Sequence, residues 1–124
     1  MNNKNVHFNF EDLKVYQKAL DFTDVVYHLT KSFPTIEQYN LNSQFNRAAV
    51  SIALNIAEGH GDSNAQFNRF LQIAKDSVNE CVVCNAIAFR RGYITKENNK
   101  YHRVLLSELA KMITGLTKYL KSNN

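Results

Sequence analysis

Proline occurs once in this sequence and glycine four times, and 44% of the 124 residues are apolar. That balance excludes a disordered chain and points to one compact domain, long enough to bury about two-thirds of its unfolded surface. No apolar run approaches the ~20 residues of a membrane span, and MNNKNVHFNF lacks the apolar centre of a signal peptide. The expectation is a cytoplasmic protein that does not engage the membrane. Metal and catalytic signatures are equally scarce. His7, His28, His60 and His102 stand far apart, and none belongs to an HExxH or Glu-x-x-His pattern. The two cysteines form Cys81-Val82-Val83-Cys84, with no second CxxC and no strand-rich context, so small buried packing residues are a better account than zinc or redox chemistry. Gly59-His60-Gly61 is too short for a phosphate loop. No catalytic residue, metal site or cofactor is expected.

What the sequence does have is helical periodicity. Leu41, Phe45, Ala48, Ala49, Ile52 and Ile56 fall on one helix face, while Val50, Ala53, Leu54 and Ala57 form a second. Between them runs a polar seam, Arg47, Ser51, Asn55 and Glu58. A helix apolar nearly all round must be buried on more than one side, which in so short a chain implicates another subunit. Arg47 and Glu58 are about 16 Å apart along a straight helix, too far to pair with each other. Their partners must come from other helices or other subunits, with Arg69 and Glu80 as candidates; a ligand site or lumen lining is the alternative.

The remaining periodic stretches complete the set. After a loose arm at 1–8, helices are expected at about 10–32, 40–58, 63–91 and 95–120. Asn9, Asn40, Ser63 and Thr95 stand at capping positions, and Pro34, Gly59, Gly61 and Gly92 at breaks. Four amphipathic helices with short connections predict a single all-α domain, an antiparallel up-and-down four-helix bundle.

Charge is unevenly placed. Residues 1–62 carry five basic and seven acidic side chains; residues 63–124 carry ten basic and four acidic. Lys96, Lys100, Arg103, Lys111, Lys118 and Lys121 project within an arc of roughly 80° on the fourth helix. Arg90 and Arg91 extend the row. Such a stripe is either a solvated face or a surface that meets phosphates of RNA or DNA, through charge rather than base reading. Asp76 and Glu80, one turn apart on the outer side of the third helix, read as surface charge.

Several ordered motifs resemble the proteins encoded in intervening sequences of bacterial 23S ribosomal RNA genes. They are Leu13 to Ala19 (LKVYQKA), Leu29 to Pro34, Gln44 to Gly59, Phe67 to Ala74, and Arg91-Gly92-Tyr93-Ile94. Asn46 replaces the first of two arginines in the family pattern, and Ala53 stands where proline is usual. The resemblance implies a four-helix bundle assembling as a ring-like homopentamer, with no enzymatic activity. A related group, the basic accessory proteins of diversity-generating retroelements, binds nucleic acid and partners a reverse transcriptase. Two expectations follow: a scaffold on RNA or DNA, or an adaptor for a reverse transcriptase or other protein.

Overall fold

The computed structural model describes residues 6–123. Its main elements are α1 (Lys14–Thr30), α2 (Leu41–Gly59), α3 (Asn64–Arg90) and α4 (Lys96–Ser122), and there is no strand among the described residues. Bonds between neighbouring helices run in opposite residue order. Thr23 and Thr30 of α1 meet Ala49 and Asn46 of α2. Gln44 and Ser51 of α2 meet Glu80 and Ser77 of α3, and Lys75 and Asn85 of α3 meet Thr114 and Asn99 of α4. Each helix is therefore antiparallel to the next, and Lys18 bonding Glu108 closes α1 against α4. The result is a four-helix bundle.

The core takes the predicted stripe of α2 and one stripe from each other helix; Phe45 and Ile52 of α2, Leu71 and Val78 of α3, and Leu109 and Ile113 of α4 are among its buried members. On α1 the spacing of threes and fours through Ala19, Leu20, Val26 and Tyr27 reads as the inner face, but the buried side runs through Val15, Ala19, Phe22 and Val26, and Leu20 and Tyr27 are exposed. α2 lies most intimately against α3, and Gly59 shows why. A Cβ built there would sit 2.8 Å from Phe70 Cβ and 2.9 Å from Phe67 Cδ1. Only hydrogen fits at this crossing. The turn after α3 uses Gly92 at φ +79°, a left-handed backbone that suits glycine.

Several local expectations are corrected. The first helix does not start near residue 10. Asn9–Asp12 form a short 3-10 turn, and Leu13 is extended (φ −70°, ψ 124°) before α1 begins at Lys14. The break lets Phe10 pack edge-on against Tyr16, at 5.0 Å between ring centroids, and puts Leu13 against the core. Within the expected arm, residues 1–5 lie outside the described ones. Asn9 caps nothing; the Phe8 N–H instead donates to Glu11 Oε1. α1 ends at Thr30, two residues short of expectation, because Thr30 turns to α2: Asn46 Nδ2 donates to its hydroxyl and Asn42 Nδ2 to its carbonyl. Asn40 makes no capping bond; Glu37 from the preceding turn reaches the Leu41 N–H instead. Ser63 and Thr95 do cap, accepting from the N–H groups of Gln66 and Asn98.

Candidate nucleic-acid interface

The basic stripe forms because α4 is continuous from Lys96 to Ser122, so residues three, four and seven apart stay in line. Lys96, Lys100, Arg103, Lys111, Lys118 and Lys121 are all exposed, spread over about 37 Å of helix. Thr114, in the same row, is half-buried and accepts a hydrogen bond from Lys75 of α3 at 2.9 Å. The row therefore runs beside the seam between α3 and α4.

None of these cations is neutralised by an ion pair among the described residues. The interhelical ion pair is Lys18–Glu108 (3.4 Å), on the α1 side of α4. Glu80 is taken up by Gln44 of α2, and Asp76 by Gln72. The stripe presents bare positive charge along one edge of the bundle.

Arg90 is exposed at the last position of α3. Arg91, also exposed, shares a groove with Glu37 and Glu80 on the α2 side, so it leaves the stripe and faces acids. Glu37 also accepts from the Tyr93 hydroxyl at 2.8 Å, a bond that pushes the phenol pKa up.

Two grooves lie along the α3–α4 seam. One, of about 420 Å³, has walls of Val78, Val82, Val104 and Ala110, with Asn79 and Ser107 as polar members and Lys100 and Arg103 at its margin. The second, of about 190 Å³, is bounded by Leu71, Ile113, Lys75, Lys118 and Lys121. Among the described residues no acidic side chain lines either. Helical arithmetic found the stripe but not these grooves, which exist only where two helices meet.

The polar seam of α2 divides. Ser51 and Asn55 are half-buried: Ser77 Oγ lies 2.9 Å from Ser51 Oγ, and Asn55 Nδ2 donates to Ser51 Oγ at 3.0 Å. Arg47 and Glu58 are exposed and make no ion pair among the described residues, and neither does Arg69. The expected partners Arg69 and Glu80 are thus not theirs within this chain. Arg47 instead borders a polar groove of about 370 Å³ with Ser43, Gln44, Ser51 and Glu80. On the outer side of α2, Leu54 is 62% exposed, with half-buried Val50 and Ala57 beside it. Ala53, expected on that second face, is instead buried in the core at 7% exposure, so the uncovered part of the face is Val50, Leu54 and Ala57.

One buried polar cluster escaped the sequence reading. His102 is 4% exposed, and its Nδ1 lies 2.9 Å from Oδ1 of Asn85, itself wholly buried. Asn85 Nδ2 donates to Asn99 Oδ1 at 2.8 Å. Burial lowers the His102 pKa, favouring neutral imidazole. The signal was present: an asparagine on the core face of α3 demands a polar partner. Cys81 and Cys84 are free, buried thiols, and burial pushes both pKa values up, Cys84 to about 11. Among the described residues no three His, Cys, Asp or Glu side chains gather to hold a metal, and no helix is long and apolar enough to cross a membrane.

With this geometry in hand, the family model described as 23S rRNA-intervening sequence protein matches residues 11–115. A similar solved structure is a crystal structure, at 1.70 Å, of a protein with unknown function from the S23 ribosomal protein family of Bacteroides thetaiotaomicron VPI-5482. It is 27% identical, covers 84% of this chain and 95% of its own, and superposes with a TM-score of 0.77. No curated protein matches.

Proposed function

Because the chain belongs to the 23S rRNA-intervening sequence protein family, we propose that it is a non-catalytic, oligomeric scaffold that holds RNA or DNA by charge along α4. The observation that carries this reading is the row Lys96, Lys100, Arg103, Lys111 and Lys118, exposed and without ion pairs among the described residues. Backbone phosphates are the partner such a row satisfies best, and neutralising them releases counterions, so affinity falls steeply with salt. Arg90 adds to the row; Arg91, beside Glu37 and Glu80, contributes less. The proposed site of action is the cytoplasm.

A ring-like homopentamer fits the uncovered apolar face of α2, where Val50, Leu54 and Ala57 gain burial from a neighbouring subunit. Arg47 and Glu58 then find their partners across that contact. Repetition of the stripe around a ring multiplies its hold on a long polyanion.

The test is binding of a labelled RNA or DNA strand at low and high salt, with solution mass measured in parallel. Lys100→Glu, Lys111→Glu and Lys118→Glu together are expected to abolish binding and leave mass and helicity intact. Undiminished binding by that variant refutes the stripe. The second reading, a protein-binding adaptor of the kind that partners a reverse transcriptase, draws on the same uncovered apolar surface. It predicts a pentamer indifferent to nucleic acid at every salt concentration.

A further inference from the structure

The α4 stripe alone is a phosphate-binding edge, indifferent to whether the nucleic acid is single- or double-stranded. The seam beside it is not. Val78, Val82, Val104 and Ala110 build an apolar trough, and Lys100 and Arg103 stand one turn apart at its margin. Val104 is 52% exposed at the edge of the charged face, so its apolar surface is open to a ligand beside Lys100 and Arg103. Of the acids nearby in sequence, Glu80 takes a bond from Gln44 and Glu108 from Lys18, while Glu97 is exposed one turn before Lys100 and does not line the trough.

The second groove carries the charge onward: Lys75, Lys118 and Lys121 line it, over Leu71 and Ile113, which are 0% and 1% exposed. An open apolar recess beside a line of cations that continues past it suits a polymer that alternates anionic links with flat apolar groups.

We propose that the α3–α4 seam binds single-stranded nucleic acid, with a base seated between Val82 and Val104 and the flanking phosphates on Lys100 and Arg103. Asn79 and Ser107, which also line the trough, supply polar groups for the edge of the base. A duplex keeps its bases stacked and offers the stripe only phosphates, whereas an unstacked base can bury a face against apolar side chains. An acidic peptide would meet the same charge at this groove, but the line of exposed cations continuing along α4 past it favours a phosphate-linked strand. This inference rests on the electrostatic reading above and adds the base.

The deciding experiment compares two strands of equal length by fluorescence anisotropy, one with bases and one abasic, together with a duplex, all at the same low salt. The base-bearing strand is expected to bind about 3-fold more tightly than the abasic one, less than the roughly 10-fold of a base stacked on an aromatic ring, because the walls of the trough are aliphatic. Val104→Gln, uncharged and at an exposed position, should remove that advantage while leaving abasic and duplex binding unchanged. Circular dichroism confirms that the variant folds. Equal affinity for base-bearing and abasic strands overturns the base site and leaves the electrostatic reading standing. Failure of all three probes to bind overturns both. Displacement of the strand by an acidic amphipathic peptide of higher affinity assigns the seam to protein and also overturns the proposal.

Discussion

Gly59 and Gly115 are both helical glycines, and the same substitution should move stability in opposite directions at the two. At Gly115, in the exposed part of α4, a new Cβ meets nothing within 4 Å. Alanine there gains helix propensity and restricts the unfolded chain, a stabilisation of up to about 1 kcal/mol. At Gly59 the new Cβ lands 2.8 Å from Phe70 Cβ and 3.3 Å from the Phe67 Cα. Neither atom can swing aside by a side-chain rotation, so α2 and α3 must separate. Overpacking of this kind costs roughly 1–3 kcal/mol. The propensity gain offsets under half of that at the last position of a helix, leaving a net loss of about 1–2 kcal/mol. For a chain of this size 1 kcal/mol corresponds to about 4 °C in Tm. Gly59→Ala should therefore melt about 4–8 °C lower and Gly115→Ala a few degrees higher. Thermal and urea unfolding followed by circular dichroism, at one fixed protein concentration, reads both. A Gly59→Ala protein as stable as the parent would refute the argument that helix proximity imposes glycine there.

Stability should also depend on pH through His102. Burial lowers its folded-state pKa below the ordinary value near 6.5, so the unfolded chain binds the proton more readily. Its contribution is fully present above about pH 6.5 and is lost as pH falls through the folded-state value; His102→Gln should flatten that limb of a Tm-against-pH curve, and an unchanged limb would count against the buried neutral imidazole. Asn85→Ala strips partners from both His102 and Asn99 and should cost about 2–4 kcal/mol, from the cavity and the unsatisfied buried groups together, measured by urea denaturation. Cys81 and Cys84, buried and with raised pKa values, should react with a thiol reagent only at the rate of unfolding, and both at once in denaturant. Rapid labelling of the native protein would mean that the thiols are reached from the surface.

Much of this protein is legible in one dimension because a helix keeps a constant angle per residue. The apolar recurrence of Leu41 to Ile56 determined which side of α2 faces inward, and the lysine recurrence determined that Lys96 to Lys121 share one exposed edge. Ser63 and Thr95 act within three residues of themselves, so their capping was local information. The errors lie where the outcome depends on a neighbour. Asn40 yielded its capping role to Glu37, and the start of α1 moved to Lys14 because Phe10 found Tyr16. Asn46, read as a lost arginine, became the clasp on Thr30. Glu80, expected to answer Arg47, was claimed by Gln44. His102 looked like one of four scattered histidines until α3 brought Asn85 beside it. The grooves along the α3–α4 seam were beyond any periodicity argument, because a recess is the space left between two surfaces and belongs to neither helix alone. Sequence by itself determined the bundle and its charged edge; packing decided which polar groups are satisfied and where that edge has depth, since both are set by distances across helices that no spacing along the chain encodes.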